Sequence, residues 1–399
     1  MTTSRLRVLH VSPYFAPAFA YGGPPRSILG LCKELPRHGV DVEVVTTTAG
    51  GPEADLPPAM EPTEYEGVRV RYFPLAEPRR FWNAPVLRRT LAREARAYHV
   101  IHVHGLWNLP AWDAARLARR SGVPYVISPR GMLEREAMAI GRGRKAVAFR
   151  LVERRNIESS SWLHATSRRE VETLEAARLG PPIVFAPNGV DVDELKPTDP
   201  GVLRHKFAIE PNEKIVLFLG RIHPIKRLDL IAASVGRLAS AMPDIRVVVA
   251  GPDADGWQSR VAGRFADAGV RVTWTGAVTG KDKASLLAAA RVLVSCSDSE
   301  SFGMSVAEAM AVGTPVVVTR TCPWPDVERE GAGRWVPQDA EAMAAAIGEI
   351  LRDEVLARSM GERGRALVAR SYTWPAAAQT IADGYRSVVA HSIPAAHAS

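Results

Sequence analysis

Two glutamates lie on either side of a predicted helix start in the second half of the chain. Glu300 and Glu308 belong to "SCSDSESFGMSVAEAMAVGTPVVVT", where a strand-like run and a Phe-Gly turn precede a helix predicted from Met304 or Ser305 to Val312. The free N–H groups of a helix start bind anions, and helical side chains lean back toward that end. Because a carboxylate accepts two hydroxyl hydrogen bonds at once, we predict sugar hydroxyls on Glu300 and ribose hydroxyls on Glu308. A glutamate that only complements the helix dipole would explain Glu308 but not the pair.

Two basic side chains follow another strand-like run. The stretch "KIVLFLGRIHPIKRLDLI" places Arg221 and Lys226 five residues apart in the loop after the strand, and Gly220 lets the chain turn there. The planar fork of an arginine and the point charge of a lysine together suit a diphosphate. Two solvated loop cations are the alternative interpretation of this loop taken alone.

The composition is that of a globular protein. Its 399 residues are 46% hydrophobic and 24% charged, and this length suits two domains. We find no run of about 18 or more apolar residues, and we expect no secretory signal in "MTTSRLRVLHVS". The cysteines Cys32, Cys296 and Cys322 are far apart in apolar surroundings, which predicts core residues of a reducing compartment. We therefore predict a cytoplasmic protein.

The charge of the chain is unevenly distributed. A formal net charge of +8 favours anionic partners such as nucleotide phosphates, nucleic acid or an anionic membrane face, although it could also serve solubility alone. Two segments before residue 160 carry the surplus: Arg79, Arg80, Arg88, Arg89, Arg93 and Arg96, then Arg130, Arg135, Arg142, Arg144, Lys145, Arg150, Arg154 and Arg155. Aromatic platforms are not interleaved with these arginines, so we expect no nucleic acid and a peripheral contact with anionic membrane instead.

Strand-like runs alternate with helical patterns along the whole chain. They are "RVLHVS", "VDVEVVTT", "VIHVHG" and "PYVISP" in the first half, and "KIVLFLG", "RVVVAG", "RVTWTG", "RVLVSCSD" and "TPVVVT" in the second. Continuous β-branched runs predict parallel strands buried between helices. The turn-rich "APNGVDVDELKP" separates the two series. We predict an α/β protein of two doubly wound domains, residues 1–192 and 193–372, with a last helix and a tail at 373–399.

The motifs resemble those of the family 4 retaining glycosyltransferases, which have the GT-B fold. The Glu-x7-Glu stretch joined to "GRIHPIK" carries the resemblance, and matches over nearly the whole chain accompany it: "HVSPYFAPAFAYGGPPRSILGL", "VIHVHG", "SPRGML", "HATS", "PNGVD" and "YTW". The resemblance implies two Rossmann-like domains facing each other across a cleft, the first for the acceptor and the second for the nucleotide sugar, with the C-terminal helix returning toward the first. Arg227 departs from the family, which usually has glycine there; an extra cation near the phosphates and a solvent-facing side chain are both open.

The resemblance also implies a set of donor-binding residues. The two cations bind the diphosphate, the two glutamates bind the sugar and the ribose, and backbone amides at the helix start assist. The backbone near 275–278 reads the base, uridine or guanosine, and a glycine pair after the first strand faces the phosphates. The set is Gly22, Gly23, Arg221, Lys226, Val278, Glu300, Phe302, Gly303, Met304 and Glu308.

Two histidines end a strand-like run in the first half. In "HVIHVHGLWN", His102 and His104 alternate with Val103, and we predict different environments for the two imidazoles, with His104 near a cleft. A packed structural histidine is the alternative for such a side chain. The resemblance places His104 at the sugar and acceptor site, and it makes Arg130 in "SPRGML" a candidate contact for an acceptor phosphate, with a solvated arginine as the alternative.

These features predict a retaining, metal-independent hexosyltransferase of polysaccharide or glycolipid assembly. It would use a UDP- or GDP-linked donor and a glycan or lipid-linked acceptor, without a cofactor. The predicted catalytic residues are His104, Arg221, Lys226 and Glu300. The Asp-x-Asp pattern at 191–193 lies in the interdomain connection, and that at 253–255 lacks a further ligand nearby, so we expect no metal. A sugar phosphorylase or a nucleotide-sugar epimerase on the same scaffold and, in a different class, a basic nucleic-acid-binding protein are the alternatives.

Overall fold

The chain forms two compact units. The structure is a computed structural model that describes residues 5–50, 60–139, 142–197, 200–253 and 256–392. Residues Met1–Gly189 and Trp374–Ser399 form the first unit, and Val190–Thr373 form the second. The chain thus leaves the first unit three residues earlier than the predicted boundary after residue 192, and it returns at Trp374 rather than at residue 373. None of the described helices is long and apolar enough to cross a membrane.

An eight-stranded sheet with the order β3-β4-β2-β1-β5-β6-β7-β8 organises the first unit. The strands are β1 Leu6–Val11, β2 Val40–Thr47, β3 Pro62–Tyr65, β4 Val68–Phe73, β5 Val100–His104, β6 Tyr125–Ser128, β7 Leu163–Ala165 and β8 Ile183–Phe185. The helices are α1 Gly23–Glu34, α2 Pro85–Glu94, α3 Leu109–Ser121, α4 Arg135–Ala139, α5 Arg142–Ala148, α6 Arg154–Glu158 and α7 Arg168–Ala177. Among the described pairings only β3 with β4 is antiparallel.

A six-stranded parallel sheet with the order β11-β10-β9-β12-β13-β14 organises the second unit. The strands are β9 Lys214–Leu219, β10 Ile245–Ala250, β11 Val272–Gly276, β12 Val292–Ser295, β13 Val316–Thr319 and β14 Gly333–Val336. The helices are α8 Pro200–Lys206, α9 Leu228–Ala239, α10 Trp257–Asp267, α11 Gly280–Ala289, α12 Met304–Val312, α13 Pro325–Arg329, α14 Ala340–Arg352 and α15 Glu354–Ser371. The last helix, α16 Trp374–Ser392, belongs to the first unit.

Each sheet is buried on both faces. In β1, alternate side chains enter two separate apolar clusters, one containing Val8 and the other containing Leu9 and Val11. The first of these clusters also includes buried residues of α1 and α16, and the second includes those of α2 and α3. Burial on both sides explains why the strands read as continuous apolar runs. The predicted fold of two doubly wound α/β domains is confirmed.

The strand order of both sheets reverses beside the first strand of each unit. In the first unit β1 has β2 on one side and β5 on the other, and in the second unit β9 has β10 and β12 as neighbours. Ligands of doubly wound proteins bind beyond the carboxyl ends of the strands at such a reversal. His10 and His104 lie at this end of β1 and β5, while the loops after β9 and β12 contain Lys226 and Glu300.

Candidate active site

Lys226 and Glu300 form an ion pair at the strand reversal of the second unit. Lys226 ends a short 3-10 turn after β9, and its Nζ lies 2.5 Å from Oε2 of Glu300. The Asp298 amide donates to the Ile225 carbonyl at 2.8 Å and thereby ties the two loops together. The side chains of the pair are 20% and 18% exposed, so both remain reachable from solvent. The structure therefore brings together an acid and a base that the sequence places 74 residues apart.

Arg227 adopts a left-handed backbone conformation, with φ of +54°. Glycine would enter this conformation without steric cost, so the arginine stands at a position where glycine would be less strained. The Arg227 guanidinium donates to Asp298 at 3.0 Å and to Asp229 at 3.2 Å, and these hydrogen bonds raise its pKa. Its charge is consequently paired within the second unit.

The Phe-Gly turn anchors the start of α12. Phe302 is 4% exposed and packs against Trp324 and Tyr372, with ring centroids 5.1 and 5.9 Å away, and the Trp324 indole N–H donates to its carbonyl. Gly303 has φ of +84°, and a Cβ there would lie 3.1 Å from the Trp324 indole nitrogen and 3.3 Å from Cγ of Glu300. Only glycine fits this position without displacement, and the turn fixes the first N–H groups of α12 beside Glu300.

Glu308 has a basic partner that sequence reasoning missed. Lys283 of α11 lies 2.9 Å from Oε1 of Glu308, and each side chain is only 12% exposed. Nothing in "TGKDKASLL" separates Lys283 from its neighbour Lys281, because the contact depends on how α11 packs against α12. Each of the two predicted glutamates is therefore paired with a lysine rather than free.

Three further predicted donor residues belong to the second unit. Arg221 is partly buried and makes no side-chain hydrogen bond or ion pair with any residue that the structure describes, which leaves its guanidinium available to an anion. Val278 and Met304 are partly buried and pack against the apolar core of this unit. Their predicted roles stay predictions.

A glycine pair and a histidine cluster lie at the strand reversal of the first unit. Gly22, with φ of +92°, precedes α1, which begins at Gly23. His102 and His104 stack with ring centroids 4.2 Å apart, so the prediction of different environments for them is wrong. Alternate residues of a strand point to the same face, and both imidazoles are buried there.

His104 is enclosed rather than open to solvent. It is 1% exposed, its Nε2 lies 2.9 Å from Nδ1 of His10, and its Nδ1 lies 3.2 Å from the Arg130 guanidinium. Arg130 is itself buried and also donates to the Ser27 hydroxyl at 2.8 Å, so the alternative of a solvated arginine is wrong. Burial lowers the pKa of Arg130 to about 10, which leaves it charged at neutral pH.

The histidines of this cluster are neutral. Burial, and secondarily the charge of Arg130, lowers the pKa of His10 and of His164 to about 3, and burial also lowers the pKa of His102 and His104 well below the usual value. Ring nitrogens of His10, His102 and His104 lie within 4.8 Å of one another, as metal ligands would. A divalent ion there would sit beside the Arg130 cation, which disfavours it.

The Asp-x-Asp patterns serve the backbone. Asp191 accepts hydrogen bonds from the amides of Asp193 and Glu194. Asp253 accepts from the amides of Trp257 and Gln258 at the start of α10, while residue 255 lies outside the described residues. The three cysteines are free and buried, as predicted.

Two family descriptions match the chain. Residues 22–189 match the Glycosyl transferase 4-like domain, and residues 174–367 match the Glycosyl transferases group 1 family. The D-inositol 3-phosphate glycosyltransferase of Mycobacteroides abscessus is 30% identical over 97% of this chain and 90% of its own length. That of Segniliparus rotundus is 29% identical over 96% and 88%.

Solved structures of the same architecture cover almost all of the chain. Sucrose-phosphate synthase from Thermosynechococcus elongatus has a TM-score of 0.79 at 22% identity, covering 97% of this chain and 100% of that one. HepE from Anabaena in complex with UDP-glucose has a TM-score of 0.75 at 18% identity, covering 96% and 100%. The two sheets and their flanking helices thus define a glycosyltransferase fold of the GT-B type. The chain belongs to the family 4 glycosyltransferases, as the resemblance of its motifs predicted.

Proposed function

We propose that this glycosyltransferase moves a hexosyl group from a nucleotide-diphosphate sugar to an acceptor hydroxyl, with retention at the anomeric carbon and without a metal. The observation that carries the proposal is the Lys226–Glu300 pair beside the start of α12, at the strand reversal of the second unit. It combines a cation for the diphosphate, a carboxylate for sugar hydroxyls and helix N–H groups for an anion.

The chain's own residues would stabilise the leaving group. When the bond between the anomeric carbon and the diphosphate oxygen breaks, negative charge grows on the nucleoside diphosphate. Lys226, the first N–H groups of α12 and Arg221, whose side chain has no partner among the described residues, are donors that can neutralise such charge. Glu308, held by Lys283, would accept from the ribose hydroxyls.

The comparisons with known proteins favour one class of donor and one class of acceptor. A neighbour of this fold binds UDP-glucose, which favours a UDP-linked donor over a GDP-linked one. The relatives named for D-inositol 3-phosphate favour an acceptor that carries a phosphate. A glycan or lipid-linked sugar of polysaccharide or glycolipid assembly shares that feature when it is linked through phosphate.

A donor and acceptor screen tests the proposal. Thermal shift against UDP- and GDP-sugars identifies the donor, and transfer is then assayed with D-inositol 3-phosphate and with lipid-linked sugars, each with and without inorganic phosphate. We expect transfer that needs no inorganic phosphate, a product of retained configuration, and near-complete loss in Glu300→Ala. Strict dependence on inorganic phosphate would indicate a phosphorylase and refute the proposal, as would wild-type turnover by Glu300→Ala.

We also propose that the helical segment 142–158 docks peripherally on an anionic membrane. Val147 is 59% exposed and Leu151 is 71% exposed, four residues apart on one helical side. Basic residues surround them: Arg142, Arg144, Lys145, Arg150, Arg154 and Arg155. Exposed apolar side chains among cations suit the boundary of an anionic bilayer.

Co-sedimentation with vesicles tests this docking. We expect binding to vesicles containing phosphatidylglycerol, weakened by high salt and by the double variant Val147→Asp/Leu151→Asp. Val355→Asp is the matched control, because Val355 is 79% exposed in the second unit. Binding that is insensitive to salt, or equally weakened by the control, would contradict the proposal.

A further inference from the structure

We infer that Arg130 polarises a buried chain of hydrogen bonds through His104, His10, Tyr385 and His102, and thereby holds His104 in the tautomer that carries its proton on Nε2. Arg130 is then a positioning residue for His104 rather than a contact for the acceptor phosphate. The consequence for sugar transfer rests on the proposed function, whereas the hydrogen-bond chain itself rests only on contacts within the first unit.

The polarity of the chain begins at the guanidinium. An arginine has N–H donors and no acceptor, so it must donate to Nδ1 of His104, 3.2 Å away. A neutral imidazole has one donor and one acceptor nitrogen, and Nε2 of His104 therefore carries the proton. That N–H points at Nδ1 of His10, 2.9 Å away, which must accept.

The same logic continues to the last helix of the chain. His10 accepts at Nδ1, so its own proton lies on Nε2, which is 3.5 Å from the Tyr385 hydroxyl oxygen. Tyr385 accepts that hydrogen bond and donates its single proton to Nδ1 of His102, 2.6 Å away. His102 must then carry its proton on Nε2. One donor-only group at the start thus fixes three tautomers in turn.

The two atoms left over at the far end agree with this polarity. Nε2 of His102 has no hydrogen-bond partner among the described residues, and the chain makes it a donor. Nδ1 of His164 also has none, and because Nε2 of His164 donates to the Ala186 carbonyl at 2.9 Å, Nδ1 is an acceptor. The two rings have centroids 5.4 Å apart. The reverse polarity would make both of these nitrogens acceptors and would aim an N–H of His104 at the Arg130 cation.

The polarity decides what His104 offers to a substrate. With the proton on Nε2 and donated to His10, Nδ1 is the accepting atom of the ring. That atom is enclosed and already accepts from Arg130, so a substrate hydroxyl would donate its proton toward Nδ1 only where the Arg130 guanidinium moves aside. Such a lone pair suits an acceptor hydroxyl, whose oxygen gains nucleophilicity when its proton is held by an acceptor.

Nitrogen NMR of the full chain with ¹⁵N-labelled imidazoles tests the polarity without any substrate. In the wild type we expect His104, His10 and His102 all as neutral Nε2–H tautomers near pH 7.5. Arg130→Met should release His104 and the rings beyond it into tautomer mixtures, and Arg130→Lys, which restores a donor, should return His104 to Nε2–H. Tyr385→Phe should release His102 alone, because the donor that fixes His104 lies at the other end.

Tyr125→Phe is the matched control. It removes another hydroxyl from the core of the first unit. Tyr125 is 2% exposed, and its hydroxyl donates to the Asn156 carbonyl, which is not part of the histidine hydrogen-bond chain. We expect it to change none of the three tautomers. Three results would refute the proposed hydrogen-bond chain. The first is an Nδ1–H tautomer or a charged ring for His104 in the wild type, and the second is a changed His104 tautomer in Tyr385→Phe. The third is a stoichiometric metal found by elemental analysis of the purified protein.

Kinetics then separates positioning from fold. We expect Arg130→Met to lower kcat by about 10²-fold with an unchanged KM for the nucleotide sugar, because Lys226, Glu300 and Glu308, its proposed side-chain contacts, belong to the second unit. Wild-type kcat in a variant whose His104 tautomer has changed would overturn the positioning role and leave the proposed transferase function intact. If the wild type itself transfers no sugar, the proposed function is refuted, while the NMR result still decides whether the histidines form the proposed hydrogen-bond chain.

Discussion

Replacing Lys226 by methionine should weaken the binding of the product nucleoside diphosphate. Hydrogen bonds to charged groups are worth about 1.5–3 kcal/mol, and Lys226, with a side chain only 20% exposed, is shielded enough for this range to apply. The lysine must give up part of its 2.5 Å contact with Glu300 to hold a phosphate, so the lower part of the range is expected. A loss of about 2 kcal/mol corresponds to a Kd for UDP about 30-fold higher in calorimetry.

The acid of the same pair should behave differently. Glu300→Gln keeps the shape of the side chain but removes its charge, and UDP lacks the hexosyl group whose hydroxyls are assigned to Glu300. We therefore expect UDP affinity within about threefold of the wild type, with kcat lower by about 10²–10³-fold. If the pair had only a structural role, Lys226→Met and Glu300→Gln would change the affinity for UDP by the same amount, because each variant breaks the same ion pair.

Lys206 supplies the control for these measurements. It forms an ion pair with Asp282 at the same 2.5 Å distance in the same unit, but its side chain is 52% exposed. Lys206→Met should leave both UDP affinity and kcat unchanged. UDP binding by Lys226→Met at wild-type strength, or an equal loss in Lys206→Met, would refute the assignment of Lys226 to the diphosphate.

Four further predictions follow from the described contacts. Lys283→Met leaves the Glu308 carboxylate unpaired at 12% exposure and should raise the donor KM about tenfold in steady-state kinetics. Phe302→Ala should cost about 3–5 kcal/mol of unfolding free energy in urea titration, because the ring is 4% exposed. The folded-state pKa values of His10 and His164, about 3, lie below the unfolded value of 6.5, so the unfolded state binds more protons. The unfolding free energy should therefore be highest above pH 6.5. As the pH drops below 6.5, it should decrease by about 1.4 kcal/mol per pH unit for each of the two histidines, which a series of unfolding titrations at different pH values measures. Transfer should persist in excess EDTA, and loss reversed by Mn²⁺ or Mg²⁺ would contradict a metal-independent reaction.

Alternation of apolar strands and helices was enough to predict the fold. A run such as "KIVLFL" is buried on both faces only in a sheet covered by helices on both sides, so the doubly wound class follows from the pattern. The order of the strands does not follow from it. Nothing in the sequence of β1 says that β5 is its neighbour, because lateral pairing depends on how the helices between them pack.

The site was predictable where it depends on loops after strands. Lys226 and Glu300 follow β9 and β12, and carboxyl ends of parallel strands meet at one edge, so their proximity could be expected. The contacts of His10 with His104 and of Lys283 with Glu308 join elements whose adjacency was unknown, and neither was predicted. The different environments predicted for the two histidines of β5 came from a misapplied period of two.

The return of the last helix to the first unit has a consequence for synthesis on the ribosome. Residues 190–373 are continuous and can complete their sheet as soon as they emerge, whereas the first unit waits for Trp374–Ser392. Ile381, Ala382 and Tyr385 are fully buried in it, so a nascent chain ending before α16 exposes the apolar surface that they would cover. The unit whose translation begins first is thus the unit that completes its folding last. A premature stop codon near residue 373 would leave the first unit incomplete but the second unit whole.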